Sequence, residues 1–314
     1  MLIAVGLLLA GLILLVLGGE GAVRGGSALA ARFNVRPYVI GATVVAFGTS
    51  APELAVTVTA ALKGEPGLAL GNVVGSNIAN LGLILGLAAL VTPIMMAKEQ
   101  IRQELPVVIT VLGMLLFFAW DRHIARWEGV VLILAMATVI FLTLRQHRNG
   151  KADAPVDDPA ATSPATSLPV SLLIVFGGLV GLYLGGQLLV DGAVRIAEWW
   201  GVPQWVIGVV IVAAGTSMPE VAASVVAAVR GHGEIALGNV LGSNTFNVLL
   251  VLGVGSTIRP IRVDVDITMD LIIVSLFTLL PGMTLLLQSR VPRWTGGLLL
   301  LGYVAYVVLK IAVR

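Results

Sequence analysis

The stretch that decides the fold is GTSAPE, Gly48–Glu53, embedded in GATVVAFGTSAPELAVTVTAAL (41–62). The flanks are apolar enough to cross a bilayer, yet a proline and an acid stand side by side at the centre. An ionised carboxylate at mid-membrane is costly, so it marks a functional position by default. Proline frees backbone groups, which hydrocarbon tolerates only where they face protein, water or an ion. The pattern then returns as GTSMPE, Gly215–Glu220, inside a second apolar run.

A shift of 167 residues superposes the two stretches. Gly48 falls on Gly215, Thr49 on Thr216, Ser50 on Ser217, Pro52 on Pro219 and Glu53 on Glu220. Without a gap the match continues into GNVVGSNIANLGLILG (71–86) over GNVLGSNTFNVLLVLG (238–253). Between Gly41 and Gly86, 25 of 46 positions are identical. Further out, Gly18 and Gly19 meet Gly185 and Gly186, and Pro93 meets Pro260. The first apolar run therefore has a repeat partner, and it lacks a basic n-region, so it reads as a retained helix rather than a signal peptide.

Composition agrees. Of 314 residues, 58% are hydrophobic and 11% charged, against about a quarter charged in a soluble domain. Spans of about 20 apolar residues are expected near 2–18, 38–62, 68–91, 105–120 and 128–144, then 169–190, 203–229, 234–256, 267–288 and 294–311. The expected fold is an all-α integral membrane protein of ten transmembrane helices, arranged as two inverted five-helix repeats in a lipid bilayer. An odd number of spans per repeat makes the second copy enter from the opposite side, a design that places a shared site near the midplane. The domains read as 1–144 (with its motif at 41–86), a flexible cytoplasmic linker at 145–168, and 169–314 (with its motif at 208–253). Asp153, Asp157 and Asp158 read as solvated linker acids rather than a calcium loop.

A weak Lys/Arg excess on alternate connections puts both termini outside the cell and the linker inside. Trp120, Trp127, Trp199, Trp200 and Trp205 fall near span ends, as interfacial anchors do. With a net charge of +2 and no basic patch, no nucleic-acid partner is expected. The absence of cysteine excludes disulfides and thiolate metal sites.

Glu53 and Glu220 have no Lys, Arg or His in the cores of their own or adjacent motif spans, so an internal ion pair is not expected. Thr49 and Ser50 lie four and three residues before Glu53 and share its helical face; Thr216 and Ser217 repeat this before Glu220. Pro52 and Pro219 lack an N–H and clash with the carbonyl four residues back, so each should bend its helix and free carbonyl oxygens. Ser76 and Asn80, with Ser243 and Asn247, add oxygens at i, i+4 spacing. Asn72, Asn77, Asn239 and Asn244 are either supporting or structural. Gly71, Gly75, Gly82, Gly86, Gly238, Gly242 and Gly253 read as close-packing positions. Hard oxygen donors without sulfur or imidazole suit Ca²⁺ or Na⁺; Mg²⁺ sheds its water too reluctantly for an all-protein cage.

These paired motifs resemble the two α-repeats of the calcium/cation antiporter superfamily, and within it the prokaryotic sodium/calcium exchangers. The resemblance covers the whole chain. It implies exchange of Ca²⁺ for Na⁺ by alternating access at one midplane site, with the first and sixth helices sliding against the other eight. It implies Glu53 and Glu220 as the Ca²⁺ carboxylates, and oxygens from Thr49, Ser50, Ser76, Thr216, Ser217 and Ser243. It also implies Na⁺ contacts from the main-chain carbonyls of Ala46 and Ala213. Ca²⁺ and Na⁺ are transported rather than resident, no cofactor is implied, and the chain is expected to work singly in the cell (plasma) membrane. Some relatives carry aspartate where this chain has Asn80 and Asn247, so its formal site charge is −2 rather than −3.

Three rivals remain at this stage. A cation/H⁺ exchanger would use the same glutamates as proton carriers. An intramembrane lipid-phosphate enzyme would want a cationic clamp, and the motifs hold none; His123, His147 and His232 all fall in expected connections. A channel would be lined by repeated acidic rings, whereas one duplicated site within a single chain fits a carrier.

Overall fold

The structure is a computed structural model that describes residues 1–33, 35–149, 167–201, 213–262 and 266–312. Trp205, Asp264, Lys151, the three linker aspartates and the first half of the expected 203–229 span lie outside those residues. The described helices are α1 (Leu2–Phe33), α2 (Pro37–Thr49), α3 (Ala51–Lys63), α4 (Pro66–Val91), α5 (Lys98–Ala119) and α6 (Arg126–Asn149). The second repeat supplies α7 (Leu168–Trp199), α8 (Ala213–Thr216), α9 (Met218–Val229), α10 (Gly233–Ile258), α11 (Thr268–Gln288) and α12 (Arg293–Ala312).

Proline does what its chemistry requires. Pro52 sits in the first turn of α3, and α2 and α3 meet at a 45° bend that makes one broken span. At the joints, Ser50 (φ −83°, ψ 4°) and Ser217 (φ −89°, ψ 3°) both occupy the sparsely populated bridge region between helix and strand. Among the described residues three π-helical turns occur, at Gly41–Val45, Asn80–Leu85 and Asn247–Val251. The last two begin on the paired asparagines.

Short two-residue ladders tie the repeats together. Strand β1 (Ile94–Met95) pairs with β4 (Arg290–Val291), and β2 (His123–Ile124) with β3 (Ile261–Arg262), both antiparallel. Ile94 is 167 residues before Ile261, and Ile124 the same distance before Val291. The two ladders are therefore copies of each other, and each joins connections that inverted topology puts on one membrane face.

Buried apolar residues form two clusters. The larger draws on α2–α6 and α9–α12, with only Val23 from α1. The smaller holds Leu15, Ala22, Leu29 and Ala30 of α1 with Val175 and Leu182 of α7, plus Ile40, Val45 and Ala223. Helices α1 and α7 thus pack mainly on each other and rest on the remainder. Trp120, Trp127, Trp199 and Trp200 are exposed near helix ends, where an interfacial belt needs them.

Two boundaries differ from expectation. Helix α1 runs 15 residues beyond the expected end at 18, and Glu20 pairs with Arg24 one turn on within that extension. Helix α6 extends to Asn149, so His147 and the first residues of the expected linker are helical rather than connecting. Asp270 is buried in α11, where it accepts hydrogen bonds from Lys310 Nζ and Tyr306 Oη, each at 2.8 Å. Asp266 is exposed; the Thr268 hydroxyl and amide donate to it and hold its carboxyl below the usual range. Asp191 is exposed on α7.

Candidate functional site

The two motif halves meet crosswise. Ser50 donates to Glu220 Oε1 at 3.3 Å, and its repeat partner Ser217 donates to Glu53 Oε1 at 3.4 Å. Each glutamate is thus held by the serine of the other repeat. Both are essentially buried, 1% and 2% exposed, and neither has a cationic partner among the described residues. Thr49, Ser50, Ser76, Asn80, Ser217, Ser243 and Asn247 are buried too, and Thr216 is half-buried.

Seven buried side-chain atoms among the described residues have no hydrogen-bond partner. Five of them are Glu53 Oε2, Glu220 Oε2, Asn80 Oδ1, Asn247 Oδ1 and Ser243 Oγ. Burying an unpaired polar atom typically costs about 1–3 kcal/mol, and five of the seven belong to residues expected at the site. They are all oxygen, two of them carboxylate, as a hard cation requires. Among the described residues no three His, Cys, Asp or Glu cluster as a metal site would. Here amide and hydroxyl oxygens stand in for further carboxylates, which suits an ion that must also leave.

The backbone ligands need more care. The Ala46 carbonyl already accepts the Ser50 N–H at 2.9 Å and the Thr49 hydroxyl at 3.3 Å. Thr49 also lies 3.2 Å from Asn239 Oδ1. To serve a cation, Ala46 must lose the Thr49 hydroxyl to that second acceptor. Ala213 heads α8 beside the equivalent break.

The structure separates the asparagines that sequence left equivalent. Asn72 donates to the Glu53 main-chain carbonyl at 3.1 Å and to the Thr57 hydroxyl at 3.0 Å. Asn239 makes the repeat-related bonds, to the Glu220 carbonyl at 3.5 Å and the Ser224 hydroxyl at 2.9 Å. Each ties the helix bearing a glutamate to the next helix. Asn239→Ala should lower stability by about 1–3 kcal/mol, read as an earlier thermal unfolding in detergent. An unchanged melting temperature would show that the bonds contribute nothing.

The glycines divide as well. A Cβ on Gly82 would meet the Phe277 ring, one on Gly86 the Gly296 carbonyl, and one on Gly253 the Gly129 carbonyl. Gly238 and Gly242 pack on Tyr38 and Ala42 of α2. A Cβ on Gly71 or Gly75 would meet no neighbouring element within 4 Å among the described residues; their repeat-related neighbours, 205 and 209, are outside the described residues.

A cavity of about 70 Å³ lies beside the breaks, lined by Pro52, Tyr183, Gly186, Gln187, Val190, Gly215, Thr216 and Pro219. Its α7 wall is Tyr183, Gly186, Gln187 and Val190. Helix α1 instead packs on α9: Gly19 rests on Ala222 and Val226, and Glu20 is bonded to Arg230 at 2.6 Å.

Comparison with known proteins follows this geometry. The sequence profile described as Sodium/calcium exchanger protein matches residues 3–145 and again 170–312. The chain is 39% identical to the putative antiporter CaxA of Alkalimonas amylolytica, covering 98% of both. It is 30% identical to the sodium/calcium exchanger MaX1 of Methanosarcina acetivorans, over 96% of this chain and 97% of that one. Among solved structures, the sodium-calcium exchanger NCX_Mj superposes with a TM-score of 0.84 at 34% identity, covering 98% of each chain. With a profile match over each of its two repeats and full-length relatives at 30% identity or more, the chain belongs to the sodium/calcium exchanger family.

Proposed function

We propose that this chain performs its exchange at the single site enclosed by Glu53 and Glu220, alternately opened to the two sides of the cell membrane. Antiport of Ca²⁺ and Na⁺ comes with family membership, and so does the absence of an enzymatic reaction. The observation that supports this site is the crossed serine–glutamate bonding with its five unpartnered oxygens. Two carboxylates neutralise one Ca²⁺ or two Na⁺, so the two ions compete for one charge balance. Ser50, Ser76, Ser217, Ser243, Thr49, Thr216, Asn80 and Asn247 complete the cage, with carbonyls of Ala46 and Ala213 for Na⁺. The chain works singly in a plasma-membrane bilayer with both termini outside, and Na⁺ rather than H⁺ drives Ca²⁺. Uptake of ⁴⁵Ca²⁺ into Na⁺-loaded proteoliposomes, with and without a pH gradient, tests this. Uptake that needs the proton gradient instead would move the chain to H⁺ coupling.

Alternating access follows from the repeat asymmetry. With α1 seated on α9 and a cavity against α7, exchanging the roles of the two repeats closes the α7 side and opens the α1 side. The Glu20–Arg230 contact is lost in that exchange, because the repeat-related positions hold Gln187 and Lys63 and cannot form the same ion pair. The native chain has no cysteine, which makes single-cysteine labelling clean. Val190→Cys, on the cavity, should react with a hydrophilic maleimide; its repeat partner Val23→Cys, 1% exposed, should be protected. Adding Arg230→Ala should raise labelling of Val23→Cys by up to about fivefold, the most that an exposed ion pair contributes. Equal labelling of the two cysteines in the parent would contradict the assignment of sides.

A further inference from the structure

Asn80 and Asn247 present their amide oxygens, not their NH₂ groups, as unpartnered buried atoms. An asparagine is ambiguous at such a position: half a turn of the amide would aim two N–H donors at a cation and repel it. Something must select the orientation. Asn80 Nδ2 donates to Asn244 Oδ1 at 2.9 Å, and Asn247 Nδ2 donates to Asn77 Oδ1 at 3.2 Å. Asn244 is itself oriented, because its Nδ2 points at the main-chain carbonyl of Asn77, 3.5 Å away. A main-chain carbonyl can only accept, so the order of donors and acceptors runs one way from Asn77 through Asn244 to Asn80. The last oxygen of that series is the unpartnered Asn80 Oδ1.

We propose that Asn77 and Asn244 are positioning residues, each turning the site asparagine of the opposite repeat so that its oxygen faces the cation. The inference rests on the reading of Asn80 and Asn247 as cation ligands. It gives the GSN triplets of the two repeats a role distinct from that of Asn72 and Asn239, which bind the glutamate backbone. A carboxylate offers oxygen from either end, whereas an amide needs an external acceptor to fix which end it presents. The π-helical turns that begin at Asn80 and Asn247 bring the partners within reach, since the wider turn displaces the side chain from its regular helical direction.

A double-mutant cycle on the full chain in proteoliposomes decides the matter, with the KM for Ca²⁺ and the maximal rate measured separately. Asn244→Ala should raise the KM about tenfold in the Asn80 background, within the range over which members of one hydrogen-bond network couple. In the Asn80→Asp background the same change should raise it less than about threefold, because a carboxylate needs no orienting partner. An equal rise in both backgrounds means that Asn244 is merely structural and overturns the proposal. Asn80→Ala is the check on the underlying reading: an unchanged KM there means that Asn80 is no ligand, a failure separable from that of the orienting role. If Asn244→Ala does not fold, Asn77→Ala against Asn247→Asp asks the same question through the other pair, with the same two outcomes.

Discussion

Glu53→Gln and Glu220→Gln should each reduce Na⁺-driven ⁴⁵Ca²⁺ uptake by about a hundredfold or more, because oxygen sites tune Ca²⁺ affinity over orders of magnitude through ligand charge. Either change lowers the formal site charge from −2 to −1, leaving a bound Ca²⁺ with uncompensated charge in a membrane interior. Glutamine keeps the shape, and the Ser217 or Ser50 hydroxyl can rotate to meet it. The folded state should therefore survive. With no cationic partner among the described residues, an ionised carboxylate at either position has no compensating charge when no ion is bound. Removing one should leave the cation-free thermal unfolding temperature unchanged or raised, while the stabilisation that added Ca²⁺ gives to the parent disappears. The two variants should behave alike, since each carboxylate is braced by the opposite repeat through a bond of nearly the same length. Ser50→Ala or Ser217→Ala, which remove one long hydrogen bond and keep the charge, should cost no more than about tenfold. Wild-type uptake in either glutamine variant at matched expression would refute the site.

How much of this was legible in the chain depends on the kind of information involved. The broken helices were, because Pro52 and Pro219 act on the residue four back regardless of tertiary context. The glutamates were, because charge in an apolar run has few explanations. The inverted architecture was, because the repeat is internal and its span count is odd. The division of labour among Asn72, Asn77, Asn239 and Asn244 was not. All four are the same residue type on the same two helices, and they differ only in what lies across from them. The π-helical turns at Asn80 and Asn247 carry no compositional mark either: an added residue in a turn is decided by packing against the neighbouring helices. Helix α1 outruns its purely apolar stretch, so apolarity alone does not mark its end, and the Glu20–Arg24 pair lies in the part that apolarity misses. The doubled use of the Ala46 carbonyl could only come from coordinates, since the Thr49 hydroxyl had several acceptors open to it.

The seam between α1 and α7 should be as sensitive as the site, although it holds no polar ligand. Gly11, Gly18 and Gly25 recur every seven residues on α1, and the repeat places Gly178, Gly185 and Gly192 at the same interval on α7. The helices run antiparallel with these glycines at their contact. A Cβ on Gly18 would lie 2.5 Å from the Leu182 amide nitrogen and 2.8 Å from the Gly178 carbonyl. One on Gly11 would lie 2.6 Å from the Leu189 nitrogen, and one on Gly185 2.7 Å from the Leu15 nitrogen. The obstacles are main chain, so no side chain can turn aside, and the helix axes themselves must separate. Lipid offers no hydrophobic penalty to hold a loosened pair together, and close contact between small residues is what drives association there. Gly18→Leu or Gly185→Leu should therefore destabilise by about 3 kcal/mol or more, the upper part of the range for overpacking, and abolish exchange. Gly6→Leu and Gly177→Leu supply matched controls on the same two helices, since a Cβ at either would meet no other element within 4 Å among the described residues; both should remain near wild type in thermal unfolding and in uptake. If the seam is what lets α1 and α7 travel as one body, Gly18→Ala should already slow exchange more than it lowers the melting temperature, because a strained pair can stay assembled yet fail to shift together. Seam and control variants that behave alike would show that the close approach has no bearing on assembly or transport.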